Sequence, residues 1–214
     1  MTDLSNYRRS YEKSLLEEAN LPEDPISLFK TWFLETEEFG SNAEVNAMTV
    51  SSIGLDGFPK SRVVLLKQYT YEGFVFYTNY NSEKGKAIAV NPNVCLSFFW
   101  YEMERQVIIK GRAEKVSQNM SDGYFESRPE GSRLGAMVSP QSQVIPSREY
   151  LENNLKNLEK QFEGKDVPRP DHWGGYIVKP VEIEFWQGRP NRLHDRIRYQ
   201  LLDDFSWKIE RLAP

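Results

Sequence analysis

The chain has 214 residues, 39% of them hydrophobic and 27% charged, with a net charge of −4. That length suits one domain with a proper core, and the negative charge excludes a global basic field for nucleic acid, so any anion must be held by a local cluster of cations. A single cysteine, Cys95, excludes an intramolecular disulfide framework and fits a reducing cytoplasm. One cysteine and two histidines also leave too little for a zinc site built from those ligands.

No apolar stretch approaches the ~20 residues that span a bilayer, so no membrane segment is expected. Met1 to Ser10 carries two arginines with no apolar run after them, which does not read as a secretory signal. Asn119-Met120-Ser121 matches a glycosylation sequon, incidental in a cytoplasmic chain.

Residues 1–24 are charged and weakly apolar and read as a mobile or partly helical arm, with a single domain over 25–214. Asp24-Pro25 opens a helix whose Ile26, Leu28, Phe29, Trp32 and Phe33 recur at helical spacing, ended by Gly40-Ser41-Asn42. From Ala47 the pattern turns to short β-rich runs. Ala47 to Ile53 and Lys60 to Tyr69 flank an Asp56-Gly57 turn, and Phe74 to Thr78 follows. Ser82 to Val90 predicts a short helix stopped by Asn91-Pro92. Val94 to Trp100 and Arg105 to Val116 read as strands, and Ser117 to Ser127 as a helix. Pro129 to Pro146 reads as a long Gly/Ser/Pro-containing loop. Ser147 caps a polar helix to Phe162, and strands return at Gly175 to Gln187, Arg196 to Leu202 and Ser206 to Arg211. The strands in hairpin order predict an antiparallel β-barrel with flanking helices, because closure removes exposed edges.

The common catalytic motifs are absent: no Gly-rich nucleotide fingerprint, no phosphate loop, no nucleophile elbow and no zinc-binding H-E-x-x-H. What remains is cations and hydrogen-bonding groups at strand ends. In Arg62-Val63-Val64-Leu65-Leu66-Lys67, alternation places Arg62 with Val64, and Lys67 with Val63 and Leu65. Apolar residues ending in a lysine suit a flat ring with an anionic tail, although an ordinary barrel strand has charged ends too. Thr78, Ser82 and Lys84 flank a helix N-terminus that favours phosphate, or is merely capped. Tyr124, Arg128 and Ser132 form a second possible anion pocket, equally readable as a solvated helix end, with Gln141-Ser142 in the loop beyond. The segment Glu184 to Arg196 gathers Trp186, Arg189, Arg192, His194 and Arg196. So many cations repel one another unless an anion or carboxylate relieves them, and that company raises His194 above an ordinary structural histidine.

With these segments in view, the sequence resembles the pyridoxamine/pyridoxine 5'-phosphate oxidase family over nearly its whole length. The most specific pieces are Arg62 to Lys67, Phe76-Tyr77-Thr78-Asn79, Glu104-Arg105-Gln106-Val107, Ser127-Arg128-Pro129 and Glu184 to Arg196. The resemblance implies a split β-barrel, a homodimer, and FMN at the subunit interface. It also implies oxidation of pyridoxamine or pyridoxine 5'-phosphate to pyridoxal 5'-phosphate, with O2 as acceptor and hydrogen peroxide as product.

By the same resemblance, FMN would meet Arg62, Val63, Val64, Leu65, Lys67, Tyr77, Thr78, Lys84, Gln106, Gln141, Ser142, Trp186 and Arg196. The substrate phosphate would meet Lys67, Tyr124, Arg128 and Ser132. Arg192 and His194 would cover the pyridine ring as the catalytic pair, and Arg8 with Tyr11 would close over it. Two departures stand out. Glu83 occupies a position where the family commonly has an arginine, placing an acid beside Lys84, and Val45 replaces a common proline. A flavin reductase-like or deazaflavin-dependent barrel should lack the Arg192-Leu193-His194 and Ser127-Arg128-Pro129 segments. A non-catalytic FMN or pyridoxal-phosphate carrier remains open on sequence alone.

Overall fold

The computed structural model describes residues 2–7, 9–40 and 44–214. Arg8, Ser41 and Asn42, each part of an expectation above, lie outside them. The described chain is mainly antiparallel β, with helices between strands. In chain order it runs α1 (Pro25–Phe39), β1 (Ala47–Ile53), β2 (Pro59–Leu65), β3 (Gln68–Thr70), β4 (Gly73–Asn79), α2 (Glu83–Val90), β5 (Asn93–Trp100) and β6 (Arg105–Lys115). Next come α3 (Gln118–Glu126), α4 (Glu130–Val138), α5 (Arg148–Phe162), β7 (Trp173–Gln187), β8 (Asp195–Leu201) and β9 (Trp207–Leu212). The strand order is β2-β1-β5-β6-β7-β4-β3, with β8 on β7 and β9 on β8.

Most element ends fall within one or two residues of the sequence expectation, and two differ in kind. The run Lys60 to Tyr69 is not one strand: β2 stops at Leu65 and β3 restarts at Gln68. Between them Leu66 turns inward, 4% exposed, while the Lys67 N–H donates to the Val75 carbonyl at 2.9 Å. The second difference is α4, which occupies half of the expected loop 129–146. Gly131 and Gly135 cost this helix about 1 kcal/mol each by propensity. It forms because Leu134 is buried with Phe125, Val167 and Trp173, against partly buried Leu155, Leu158 and Phe162. Tertiary burial overrides local preference here.

The chain divides into two compact units. The first comprises residues 1–50, 95–111 and 180–214. Its core is aromatic: Phe29 packs on Phe98 at 5.2 Å between ring centroids, Trp32 on Phe185 at 5.2 Å, and Phe185 on Tyr199 at 5.7 Å. Helix α1 reaches that core with its start fixed as the sequence foretells. Asp24 accepts from the N–H groups of Ile26 and Ser27 at 3.2 and 2.8 Å, and Pro25 takes the first helical position.

Arg105 is sunk into the same core. Its guanidinium lies 4.5 Å from the Trp32 ring, Nε donates to Gln187 at 2.9 Å, and Nη1 pairs with Glu35. The second unit comprises 51–94 and 112–179 and holds α2 to α5, β2 to β4 and the first part of β7. Strand β7 pairs with β4 through residues 173–178 and with β8 through 182–187. Pro180 falls between the two ladders, in neither, so its missing N–H interrupts neither pairing.

Arg105→Ala should cost about 2–3 kcal/mol in urea denaturation, because it strands Gln187 and Glu35 and opens a gap over Trp32. A loss below about 0.5 kcal/mol would show that the guanidinium contributes little to the core.

Candidate active site

In the second unit a pocket of about 750 Å3 opens beside β2 and β4, a size that suits a small-molecule ligand. Lys67, Tyr77, Thr78, Lys84, Tyr124, Arg128, Ser132 and Gln141 all line it, together with Val63, Val64 and Leu65. Strict alternation along residues 62–67 does not hold, because the strand has ended before Lys67. Arg62 is outside the lining and exposed, its Nη1 donating to the Ser61 carbonyl at 3.2 Å. Ser142, with a φ of 71°, lines a neighbouring hollow of about 380 Å3 together with Gln141.

The pocket is flanked by a stack of aromatic rings. Tyr77 stacks on Tyr124 at 4.0 Å and on Trp173 at 5.5 Å, with planes within 23° and 12° of parallel. Arg128 sits over the Trp173 ring at 4.7 Å. Tyr77 can lie close to β7 because residue 175 is glycine: a Cβ there would meet the Tyr77 ring at 2.8 Å. Trp173 is anchored from behind by Arg169, which donates to its carbonyl at 2.6 Å and pairs with Asp122 at 2.5 Å. Trp173 was not among the residues picked from the sequence. The signal available was the Trp173-Gly174-Gly175 run, a large ring beside two residues that allow close approach.

Charge defines the remainder. Among the described residues no carboxylate forms a salt bridge with Lys67, Lys84 or Arg128, whereas Arg105, Arg169, Arg196, Arg198 and Arg211 all have one. Arg128 Nη1 is buried and has no hydrogen-bond partner among them. A buried guanidinium N–H left unpaired is costly, and a phosphate oxygen would satisfy it. Burial lowers the Arg128 pKa. Burial, and then the positive charge of Arg62, pull the Lys84 ammonium below its ordinary value, partly offset by Glu83. An incoming anion relieves both groups, so the donor set fits a phosphorylated ligand.

The helix-end reading holds only in part. Ser82 is fully buried and spends its hydroxyl on the cap, accepting from Gly85 N–H at 3.2 Å and donating to the Asn79 carbonyl at 2.6 Å. Thr78 and Lys84 carry the polar edge of the pocket: Lys84 Nζ donates to Thr78 Oγ1 at 3.2 Å and to Gln141 Oε1 at 3.5 Å. Glu83 does not stand free beside them. Its carboxylate is held by Lys60, which also bridges Asp56 at 3.1 Å.

The first unit carries the other candidate residues. His194 lies 4.6 Å from Trp186, and Tyr11 meets the Trp186 ring edge-on at 5.8 Å. The Arg189 N–H donates to His194 Nδ1 at 3.0 Å, which fixes that nitrogen as an acceptor. Burial first, then the Arg192 charge, lower the His194 pKa from 6.5, against an opposing effect of Asp195. The imidazole is therefore neutral at pH 7. As pH falls below 6.5 the unfolded chain takes up the proton first, so this group withdraws stability in that window.

Asn191 and Arg192 both have positive φ, 57° and 61°. Asparagine tolerates that conformation; for arginine it stores about 1 kcal/mol and holds the side chain out into solvent. Arg196 grips Glu184 through two bonds of 2.7 and 3.1 Å. Gln106 donates to Ser97 at 3.4 Å.

In this antiparallel barrel, cations without a carboxylate partner among the described residues line a pocket beside a stack of aromatic rings, a donor set that fits a phosphorylated ligand. Comparison with known proteins narrows the class. Residues 35–162 match the family described as pyridoxamine 5'-phosphate oxidase, and residues 173–214 match its C-terminal dimerisation region. The pyridoxine/pyridoxamine 5'-phosphate oxidases of Flavobacterium johnsoniae and Flavobacterium psychrophilum are each 72% identical to it across the full length of both chains. That of Christiangramia forsetii is 54% identical over 99% of each.

Among solved structures, PhzG from Burkholderia lata, in complex with tetrahydrophenazine-1-carboxylic acid, superposes with a TM-score of 0.87. It is 29% identical and covers 96% of this chain and all of its own. A pyridoxamine 5'-phosphate oxidase-related, FMN-binding protein from Nostoc punctiforme shares the fold at a TM-score of 0.71 and 14% identity, over 91% of this chain and 100% of its own. The chain belongs to the pyridoxine/pyridoxamine 5'-phosphate oxidase family, and its fold is the antiparallel split β-barrel.

Replacing Arg192 with glutamine should raise the titration midpoint of His194, followed by NMR of its ring protons, because the neighbouring positive charge is gone while burial remains. An unmoved midpoint would show that the two side chains do not interact.

Proposed function

We propose that this protein is an FMN-dependent oxidase that converts pyridoxamine or pyridoxine 5'-phosphate to pyridoxal 5'-phosphate, with O2 as acceptor and hydrogen peroxide as product. It acts as a cytoplasmic homodimer. The observation that carries the reading is the pocket whose Lys67, Lys84 and Arg128 have no carboxylate partner among the described residues, in a chain of net charge −4. Full-length identity of 72% to two oxidases of that name supports it.

Bound FMN supplies the two-electron acceptor for the substrate's C4' hydride. The residues of this chain then have distinct tasks. Thr78, Lys84 and Gln141 hold the cofactor's phosphate end, Arg62 adds positive charge beside Lys84 from outside the lining, and Val63, Val64 and Leu65 give its ring an apolar strand. Lys67, Tyr124, Arg128 and Ser132 grip the substrate phosphate. Gln106, Ser142, Trp186 and Arg196 complete the cofactor contacts. Arg192 and His194 orient the substrate ring, with Arg8 and Tyr11 closing over it. No strong nucleophile is needed, because holding the donor carbon in place and excluding water account for most of such a rate.

The purified protein should be yellow and should release peroxide with pyridoxamine 5'-phosphate. Pyridoxamine lacking the phosphate should fall by about a thousandfold in kcat/KM, the value of two or three charge-assisted hydrogen bonds. Equal turnover of the two forms would remove the phosphate pocket from the argument, and flavin binding without peroxide would favour a carrier. Arg192→Leu should lose most turnover while FMN stays bound; unchanged turnover would remove Arg192 from the mechanism.

Lys60 has a measurable part as well, because it occupies the acid beside Lys84. Lys60→Ala should weaken FMN binding about two- to fivefold by flavin fluorescence titration at low salt, and Glu83→Gln in that background should restore it. No change in either variant would mean that Glu83 is not sensed at the cofactor phosphate.

A further inference from the structure

Glu104 has no role among the residues assigned above, yet it is the one buried carboxylate residue among those described. It stands in the turn between β5 and β6 with a φ of 55°, and it is 2% exposed. Its Oε2 accepts from the backbone N–H groups of Glu12 and Lys13 at 2.8 and 3.0 Å, and its Oε1 lies 3.8 Å from the Arg9 guanidinium. Its main-chain oxygen accepts from the Gly188 N–H at 2.7 Å and from Gln187 Nε2 at 3.2 Å.

One residue thus fixes two segments. Its side chain holds the arm on either side of Tyr11, and its backbone holds the start of the loop that leads to Arg192 and His194. The two segments touch at Tyr11, whose ring lies 5.8 Å from Trp186 and 6.0 Å from His194. Gly188 permits that approach: a Cβ there would sit 2.7 Å from the Tyr11 Cβ. A carboxylate whose partners are two backbone N–H groups and one arginine of the arm favours the docked arm, since undocking gives up those charge-assisted hydrogen bonds.

We propose that Glu104 is a positioning residue that latches the N-terminal arm, setting Tyr11 against Trp186 and His194 so that the substrate ring is enclosed. What is enclosed rests on the oxidase reading; the latch itself does not. Glu104→Ala should release the arm, and trypsin should then cut after Arg9 and Lys13 at least about tenfold faster, the equilibrium weight of losing hydrogen bonds to a charged group. Glu104→Gln keeps one acceptor oxygen and should fall between.

With pyridoxamine 5'-phosphate, Glu104→Ala should raise KM more than it lowers kcat. If the residue acts through Tyr11, the Glu104→Ala and Tyr11→Ala effects on KM should not add. Gly188→Ala displaces Tyr11 while leaving the carboxylate intact, and should reproduce the rise in KM. Where the alanine variant at 104 fails to fold, the Gln variant and Gly188→Ala provide the same comparison.

Unchanged cleavage after Arg9 and Lys13, or KM effects that add in full, would overturn the latch. The digestion needs no substrate. Fast cleavage in the variant together with no turnover by the wild-type protein would therefore sink the oxidase reading and leave the latch standing.

Discussion

Everything distinctive about this chain follows from cations that its own carboxylates leave alone. Acidic residues outnumber basic ones, 31 to 27, and many arginines outside the pocket are paired. Arg196 lies against Glu184, Arg211 against Glu18 and Asp195, Arg169 against Asp122, and Arg105 against Glu35. In the second unit Lys67, Lys84 and Arg128, the first exposed and the other two half-buried, face a shared pocket with no carboxylate partner among the described residues. An external anion would satisfy the buried, unpartnered Arg128 Nη1. The acid beside Lys84, Glu83, is occupied by Lys60.

The aromatic stack supplies what charge alone does not. Tyr77, Tyr124 and Trp173 come from β4, α3 and β7 and stack nearly parallel. Rings stacked on one another cover much of each other's faces, so the stack braces this side of the pocket and places Arg128 over Trp173 at its margin. Gly175 is the condition for that stack, because a Cβ there would meet the Tyr77 ring at 2.8 Å, while Gly174 makes room for the Tyr80 hydroxyl.

Much of this was legible in the sequence, and what was not has a physical explanation. Helix α1 could be read from Asp24-Pro25 and its apolar spacing because those signals are local. The cations of the pocket could be named only through the family resemblance, since each taken alone reads equally well as a strand end or a helix end. Helix α4 was not legible: two glycines argue against a helix, and Leu134 is stabilised by residues 9 to 39 positions away. Trp173 was missed for the same reason, its importance lying in rings that only the fold brings beside it. The break at Leu66-Lys67 was hidden because the residues there have strand-like side chains, while the interruption is set by pairing with β4. Glu104 looked like one letter of a motif; its value comes from a burial that no periodicity encodes.

Strand β7 has little length to spare. Its ladders on β4 (173–178) and on β8 (182–187) share one backbone, and β6 pairs along its other edge, where the Lys179–Glu114 and Lys110–Glu182 ion pairs flank Pro180. An inserted or deleted residue at Lys179-Pro180-Val181 would therefore shift the β6 register on one side of it, unless a bulge absorbed the change.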